Sequence, residues 1–212
     1  MIMKKWLGCF LVVLISQNVF AKGPVHKLRN TYYYVAMEAD YPNGSQSYAL
    51  KDIAGQTLAW VTRGFYNAIR IEGSGKLLDG RMLNYAGFVG KTVRYHETIH
   101  PWGRGAGNCE LVPFRSIAVD RRVIALGSTV EIEETKGMLL PDGTVHDGRW
   151  NAIDVGGAIK RDRVDLFIGK RSWNTTLDDH RIRHLQALTV KVIETPPQQN
   201  NCVDETPESL SN

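Results

Sequence analysis

The sequence predicts a mainly β protein, a small closed barrel with a few short helices, and three observations lead there. From residue 115 onward, short β-rich runs recur at close, regular spacing over residues 116–119, 128–132, 150–155, 163–168 and 187–193, separated by Gly, Pro and Asp turns. Earlier in the chain, Thr31-Tyr32-Tyr33-Tyr34-Val35 forms a dense β-former stretch within residues 29–37. Helical spacing is confined to two places. Residues 57–71 are apolar at Leu58, Val61, Phe65, Ala68 and Ile69 but weakened by Gly64, and they read as a short helix running into a strand. Residues 176–185 place Leu177, Arg181, Ile182 and Leu185 at helical intervals. Gly73-Ser74-Gly75 and Asp79-Gly80 mark turns, and the loop Gly103-Arg104-Gly105-Ala106-Gly107 carries no phosphate-binding pattern.

The 212 residues, 43% hydrophobic and 23% charged, are those of an ordinary globular chain. A chain this long buries about 70% of its unfolded surface and needs no metal to fold. Its amino terminus has the order of an export signal: Lys4 and Lys5, an apolar run over residues 6–15, then Val19-Phe20-Ala21. Cleavage there starts the mature protein at Lys22. Losing Lys4 and Lys5 takes 26 basic residues to 24 against 22 acidic, a net +2 that is too weak a field for a nucleic-acid partner. Beyond the signal no window approaches the about 20 apolar residues of a membrane span, so no stable membrane anchor is expected. Cys9 sits too close to the lysines to serve as a lipidation cysteine. Removing the signal leaves Cys109 and Cys202, either a bridge tying the polar tail to the body or two unrelated thiols.

His96-Glu97-Thr98-Ile99-His100 matches the zinc-protease pattern, which works only on a helix, where positions four apart share a face. Pro101 and the β-branched Thr98 and Ile99 oppose that helix. His180 and His184 are also four apart, beside Arg181 and Arg183 on what reads as a solvated face. A second constellation is three aspartates amid apolar β segments: Asp120 after residues 116–119, Asp154 after 150–153 and Asp165 within 163–167. A carboxylate in such company opposes β-propensity and costs burial energy, so it is paired, hydrogen-bonded or used. The alternative is that each caps a strand end. Between Asp154 and Asp165, Gly156 and Gly157 allow close backbone approach and Lys160 adds a positive charge, a turn able to bring the two acids together. Two desolvated neighbouring carboxyls disfavour each other's ionisation, and one held protonated meets the need of glycosidic-bond cleavage for a general acid.

At these residues the chain resembles the 3D domain, named for three aspartates, which forms the catalytic double-psi β-barrel of membrane-bound lytic transglycosylases. The resemblance rests on residues 113–120, on Val123-Ile124-Ala125-Leu126-Gly127, on residues 154–160 and on Arg163-Val164-Asp165, covering roughly residues 111–193. Ile71-Glu72-Gly73-Ser74-Gly75 and Asp79-Gly80-Arg81 look like the stretch preceding the domain in small members of the family. The resemblance implies a double-psi barrel with an amino-terminal part (22–110) and a 3D domain (111–195); the signal (1–21) precedes it, and after Pro196-Pro197 the polar, acidic composition of residues 196–212 reads as a flexible tail. The resemblance implies Asp165 as catalytic acid, with Asp154 and Asp120 as partner carboxylates lining the same cleft and Lys160 and Gly157 at the substrate. It further implies a periplasmic or secreted monomer that acts on the glycan strands of peptidoglycan without cofactor or metal. Val155, Arg161 and Ala125 stand where the family usually has Thr, Gly and Pro, and the insertion at residues 133–148 is expected to reshape one cleft wall. A non-catalytic glycan-binding module, with Tyr32 and Tyr34 as sugar platforms, remains the alternative.

Overall fold

In chain order the elements are β1 (Val25–Tyr33), β2 (Ala36–Met37), β3 (Tyr48–Lys51), β4 (Thr57–Val61), α1 (Arg63–Glu72), β5 (Ser74–Lys76), β6 (Met82–Val89), β7 (Thr92–Thr98), β8 (Ser116–Val119), β9 (Thr129–Ile132), β10 (Arg149–Asp154), β11 (Arg163–Phe167), α2 (Asn174–Asp179) and β12 (Ala187–Glu194). The computed structural model describes residues 23–106 and 109–195. The expected export signal, Cys202 and the polar tail lie outside the described residues.

Six strands close into a barrel in the order β1-β11-β8-β10-β9-β12. β1 runs parallel to β11 and β8 parallel to β10, and the other four pairings are antiparallel. Side chains alternate across each strand, so one parity fills the barrel: Ile117 and Val119, Val130 and Ile132, Val164 and Leu166, Leu188 and Val190 are all buried in one apolar cluster. Against this barrel lies a second layer, the sheet β2-β5-β6-β7 with α1 and the β3–β4 hairpin. Its own core gathers Leu50, Val61, Phe65, Ile69, Leu83 and Tyr95. Gly75 lets α1 come close, since a Cβ there would stand 2.6 Å from Ile69 Cδ1. A third cluster, including Tyr33, Met82, Leu111, Ala118, Ile159 and Phe167, joins the two layers.

Two segments differ from the sequence reading. Residues 57–71 form a strand followed by a helix, the reverse of the expected order. Leu58 and Val61 belong to β4, and Thr62 then caps α1, its hydroxyl accepting from the Phe65 N–H at 3.4 Å. The second helix stops at Asp179, because Arg181 and Leu185 adopt left-handed φ values of 62° and 61°. His180 and His184 therefore do not share a helical face.

The insertion at 133–148 also departs from expectation. It seals the barrel rather than the cleft, burying Thr135, Met138, Leu140 and His146. The His146 ring stacks on Trp150 at 4.8 Å between centroids, and Trp150 Nε1 donates to Thr135 Oγ1 at 3.0 Å. His146 donates through Nε2 to the Phe114 carbonyl and accepts the Gly148 N–H on Nδ1, which is the neutral tautomer, and burial pulls its pKa down to about 4. Cys109 is buried and disulfide-bonded.

Trp150→Ala empties a fully buried position of the barrel core and is expected to cost about 3–5 kcal/mol of unfolding free energy. Trp60→Ala, at a side chain 57% exposed, is expected to cost less than about 1 kcal/mol. Urea denaturation of the two variants checks the contrast.

Candidate functional site

A cleft of about 830 Å3 opens where the second layer meets the barrel wall, lined among others by Tyr33, Glu72, Ala118, Asp154, Lys160 and Asp165. Its floor is a single row across adjacent strands. Asp165 on β11 pairs with Ala118 on β8, Ala118 pairs with Asp154 on β10, and on the far side Asp165 pairs with Thr31 of β1. Two strand spacings hold the Asp154 and Asp165 Cα atoms about 10 Å apart, with only a methyl group between them.

Register alone does not place Asp154 there. Ala152 pairs with Ile117 and its side chain is buried in the barrel core, so strict alternation would turn Asp154 inward as well. The ladder slips between Ala152 and Asp154, leaving Ile153 as an extra residue, and this bulge turns Asp154 out to the face of Ala118. Gly105 packs on the bulge so closely that a Cβ would lie 2.5 Å from the Ile153 carbonyl oxygen. The adjoining Ala106 N–H is thereby brought to the Asp154 carboxylate.

Asp154 is held by donors on both oxygens, the Val155 N–H to Oδ1 at 2.8 Å and the Tyr33 hydroxyl to Oδ2 at 3.0 Å. Both come from groups other than the side chain at position 155, which is a valine. Burial nevertheless raises the Asp154 pKa to about 6, with a further upward push from the Asp165 charge. Asp165 is likewise raised to about 6 by burial, opposed by Thr31, Arg163 and His184. Among the described residues its Oδ1 is buried without a hydrogen-bond partner, a condition that penalises the charged form.

Three of the residues singled out from sequence are placed elsewhere. Asp120 is not in this cleft and lines a separate surface groove with His26, Lys27, Arg122 and Arg161. It accepts from Arg122 Nε at 2.9 Å and Nη2 at 2.7 Å and from the Arg161 N–H at 2.9 Å, which hold its carboxyl far below the usual range. Asp120 therefore clips the 156–162 loop from behind, and Arg161 takes a φ of 54°, the conformation for which glycine is the easier residue. Tyr32 and Tyr34 have the wrong parity and pack against the barrel core, while Tyr33 faces the cleft. Lys160 and Gly157 do line it, and Lys160 Nζ donates to the Gly156 carbonyl at 3.2 Å.

The cleft also holds a carboxylate that sequence reasoning did not select. Glu72 ends α1, just before Gly73 at φ 81°, and accepts the Tyr34 N–H at 3.1 Å. Burial lifts its pKa to about 7, and the Asp165 charge adds to the effect. Its signal in the sequence was the Glu72-Gly73-Ser74-Gly75 stretch, where a helix-ending glycine presents the preceding side chain.

The zinc-protease geometry does not form. His96 lies in strand β7, where residues four apart are separated by about 13 Å, and His100 falls beyond the end of that strand. Each motif residue has its own partner: His96 meets Arg104, Glu97 meets Arg81 and His100 meets Glu110.

Residues 115–176 match the 3D domain. The chain contains a 3D domain. Asp154 and Asp165 fall within it, whereas Tyr33 and Glu72 are supplied from outside. The fold is also that of E. coli MltA with bound chitohexaose, at 20% identity and a TM-score of 0.58, over 81% of this chain and 72% of that one. The membrane-bound lytic murein transglycosylase of Agrobacterium tumefaciens matches at 14% identity and a TM-score of 0.52, over 80% of this chain and 73% of that one. No curated protein sequence matches the chain.

Because the folded-state pKa of Asp154 is raised, the native state holds that proton more tightly than the unfolded chain. The resulting stability is complete below about pH 4 and is lost as pH rises through about 6. Asp154→Asn removes this loss. The variant is expected to gain on the order of 2 kcal/mol relative to the unsubstituted protein between pH 4 and pH 7. Urea midpoints across that range check the sign, and taking the difference between the two proteins cancels the opposing titration of His146.

Proposed function

We propose that this protein is a peptidoglycan lytic transglycosylase that cleaves the bond between N-acetylmuramic acid and N-acetylglucosamine. The observation that carries the reading is the Asp165–Ala118–Asp154 row, two desolvated carboxyls facing one cleft with unequal hydrogen bonding. Asp154, with donors on both oxygens, is suited to remain the charged acceptor. Asp165, with an oxygen left uncompensated, is the one of the pair suited to carry a proton when only one does.

In this mechanism Asp165 donates its proton to the glycosidic oxygen as the bond to the muramoyl C1 breaks. The ionised Asp154 offsets positive charge growing on the ring. Asp165, now basic, takes the proton from the muramoyl C6 hydroxyl, whose oxygen closes on C1 to give the 1,6-anhydro end. The proton gained by the leaving group equals the proton recovered by Asp165, so the carboxyl is restored without water, metal or organic cofactor. Lys160 and Gly157 border the glycan, and Asp120 acts only through the loop that carries them. The barrel, with its two parallel pairs β1–β11 and β8–β10, has the pairings we assign to a double-psi connection. The reading takes residues 1–21 as an export signal and the mature protein as a periplasmic or secreted monomer. No helix among the described residues is long and apolar enough to cross a membrane.

Digestion of purified sacculi, read by mass spectrometry, tests the reading. The wild type is expected to release 1,6-anhydromuropeptides, and Asp165→Asn to lose at least about a hundredfold in rate while keeping its fold. Reducing ends instead of anhydro ends would indicate a hydrolase. Murein bound without cleavage would indicate the non-catalytic module.

A further inference from the structure

The β6–β7 hairpin that walls the cleft leaves two large aromatic side chains in solvent, Tyr85 at 45% and Phe88 at 62% exposure. An exposed apolar pair on a solvent face marks a binding surface more often than it serves the fold. Here its exposure is arranged. Residues three apart on a regular strand point to opposite faces, but the ladder slips between Tyr85 and Gly87, and Gly87 takes a φ of 139° that other residues rarely adopt. The extra residue brings Tyr85 and Phe88 to one face, with ring centroids 5.7 Å apart in an edge-on pair. Both rings line the same cleft as Asp154 and Asp165, as does the exposed Ile71.

We propose that this aromatic face is a glycan subsite, on which the apolar C–H face of an N-acetylated hexose stacks while the neighbouring glycosidic bond lies over the aspartate row. The proposal deepens the reading above and rests on it. A pyranose ring is amphipathic: its ring hydrogens suit an aromatic face, and its hydroxyls suit the polar walls. Arg70 and Lys160 border the same cleft and complement the carboxylates of the stem peptide that muramic acid carries. The site therefore favours murein over an uncharged N-acetylglucosamine polymer. A second copy of the chain is the competing occupant, but its burial would close the cleft over both aspartates.

Steady-state digestion of murein by the mature protein separates the possibilities. Phe88→Ala and Tyr85→Ala are each expected to raise KM about three- to tenfold with kcat within about twofold of wild type, Phe88→Trp to restore KM, and Ile99→Ala, at a side chain 90% exposed outside the cleft, to change neither. In the wild type, titration with chitohexaose is expected to shift the ring protons of Tyr85 and Phe88, a readout that needs no variant to fold. A wild type that cleaves murein while the double alanine variant keeps its KM and the rings do not shift overturns the subsite and leaves the glycan reading standing. A wild type that neither binds nor cleaves murein overturns both. Dimerisation lost in Phe88→Ala, with KM unchanged, assigns the face to a second copy and also overturns the subsite.

Discussion

An ionised carboxylate inside an apolar barrel is costly enough that the group neutralises or the strand rearranges. In β10 the strand rearranges. Strict alternation would send Asp154 inward with Ala152, and the single extra residue Ile153 reverses it, so that Asp154 emerges beside Ala118 in the row that already holds Asp165. The cleft chemistry depends on that slip. Without it the two acids lie on opposite sides of the barrel wall, and Tyr33, Val155 and Ala106 lose the group they hydrogen-bond.

The rest of the molecule holds this arrangement from two sides. The second layer covers the row and removes water from it, which is the main reason both aspartates have raised pKa values. Gly105 allows the covering loop to sit directly on the bulge. From behind, Asp120 fixes the loop between the two acids through the Arg161 N–H, with Arg122 holding Asp120 in its charged form. Glu72, at the end of α1, is the third carboxylate that lines the cleft. Its raised pKa limits the third negative charge that the cleft must carry near neutrality.

The barrel strands were legible because period-two alternation and turn residues mark them directly, and Asp154 and Asp165 because carboxylates are out of place among such neighbours. The bulge left no trace: its extra residue is an isoleucine, which fits a regular strand equally well. The tyrosine run shows why parity was missed. Three consecutive tyrosines carry no alternation of their own, and only pairing with β11, Tyr33 opposite Phe167 and Thr31 opposite Asp165, decides which one faces the cleft. Asp120 looked like a site residue because nothing local distinguishes a carboxylate that binds ligand from one gripped by an arginine two positions on. The reversed order at 57–71 has a similar origin, since Leu58 and Val61 satisfy helical spacing and the edge of a strand alike.

The most direct test of the account is a carboxyl-carbon NMR titration of the aspartates in the folded protein. Two resonances, from Asp154 and Asp165, are predicted to titrate near pH 6, while Asp120 remains ionised far into the acid range. Asp165→Asn is predicted to lower the Asp154 midpoint by removing the neighbouring charge. Midpoints for both residues near 4, insensitive to each other's substitution, would contradict a desolvated pair sharing one cleft.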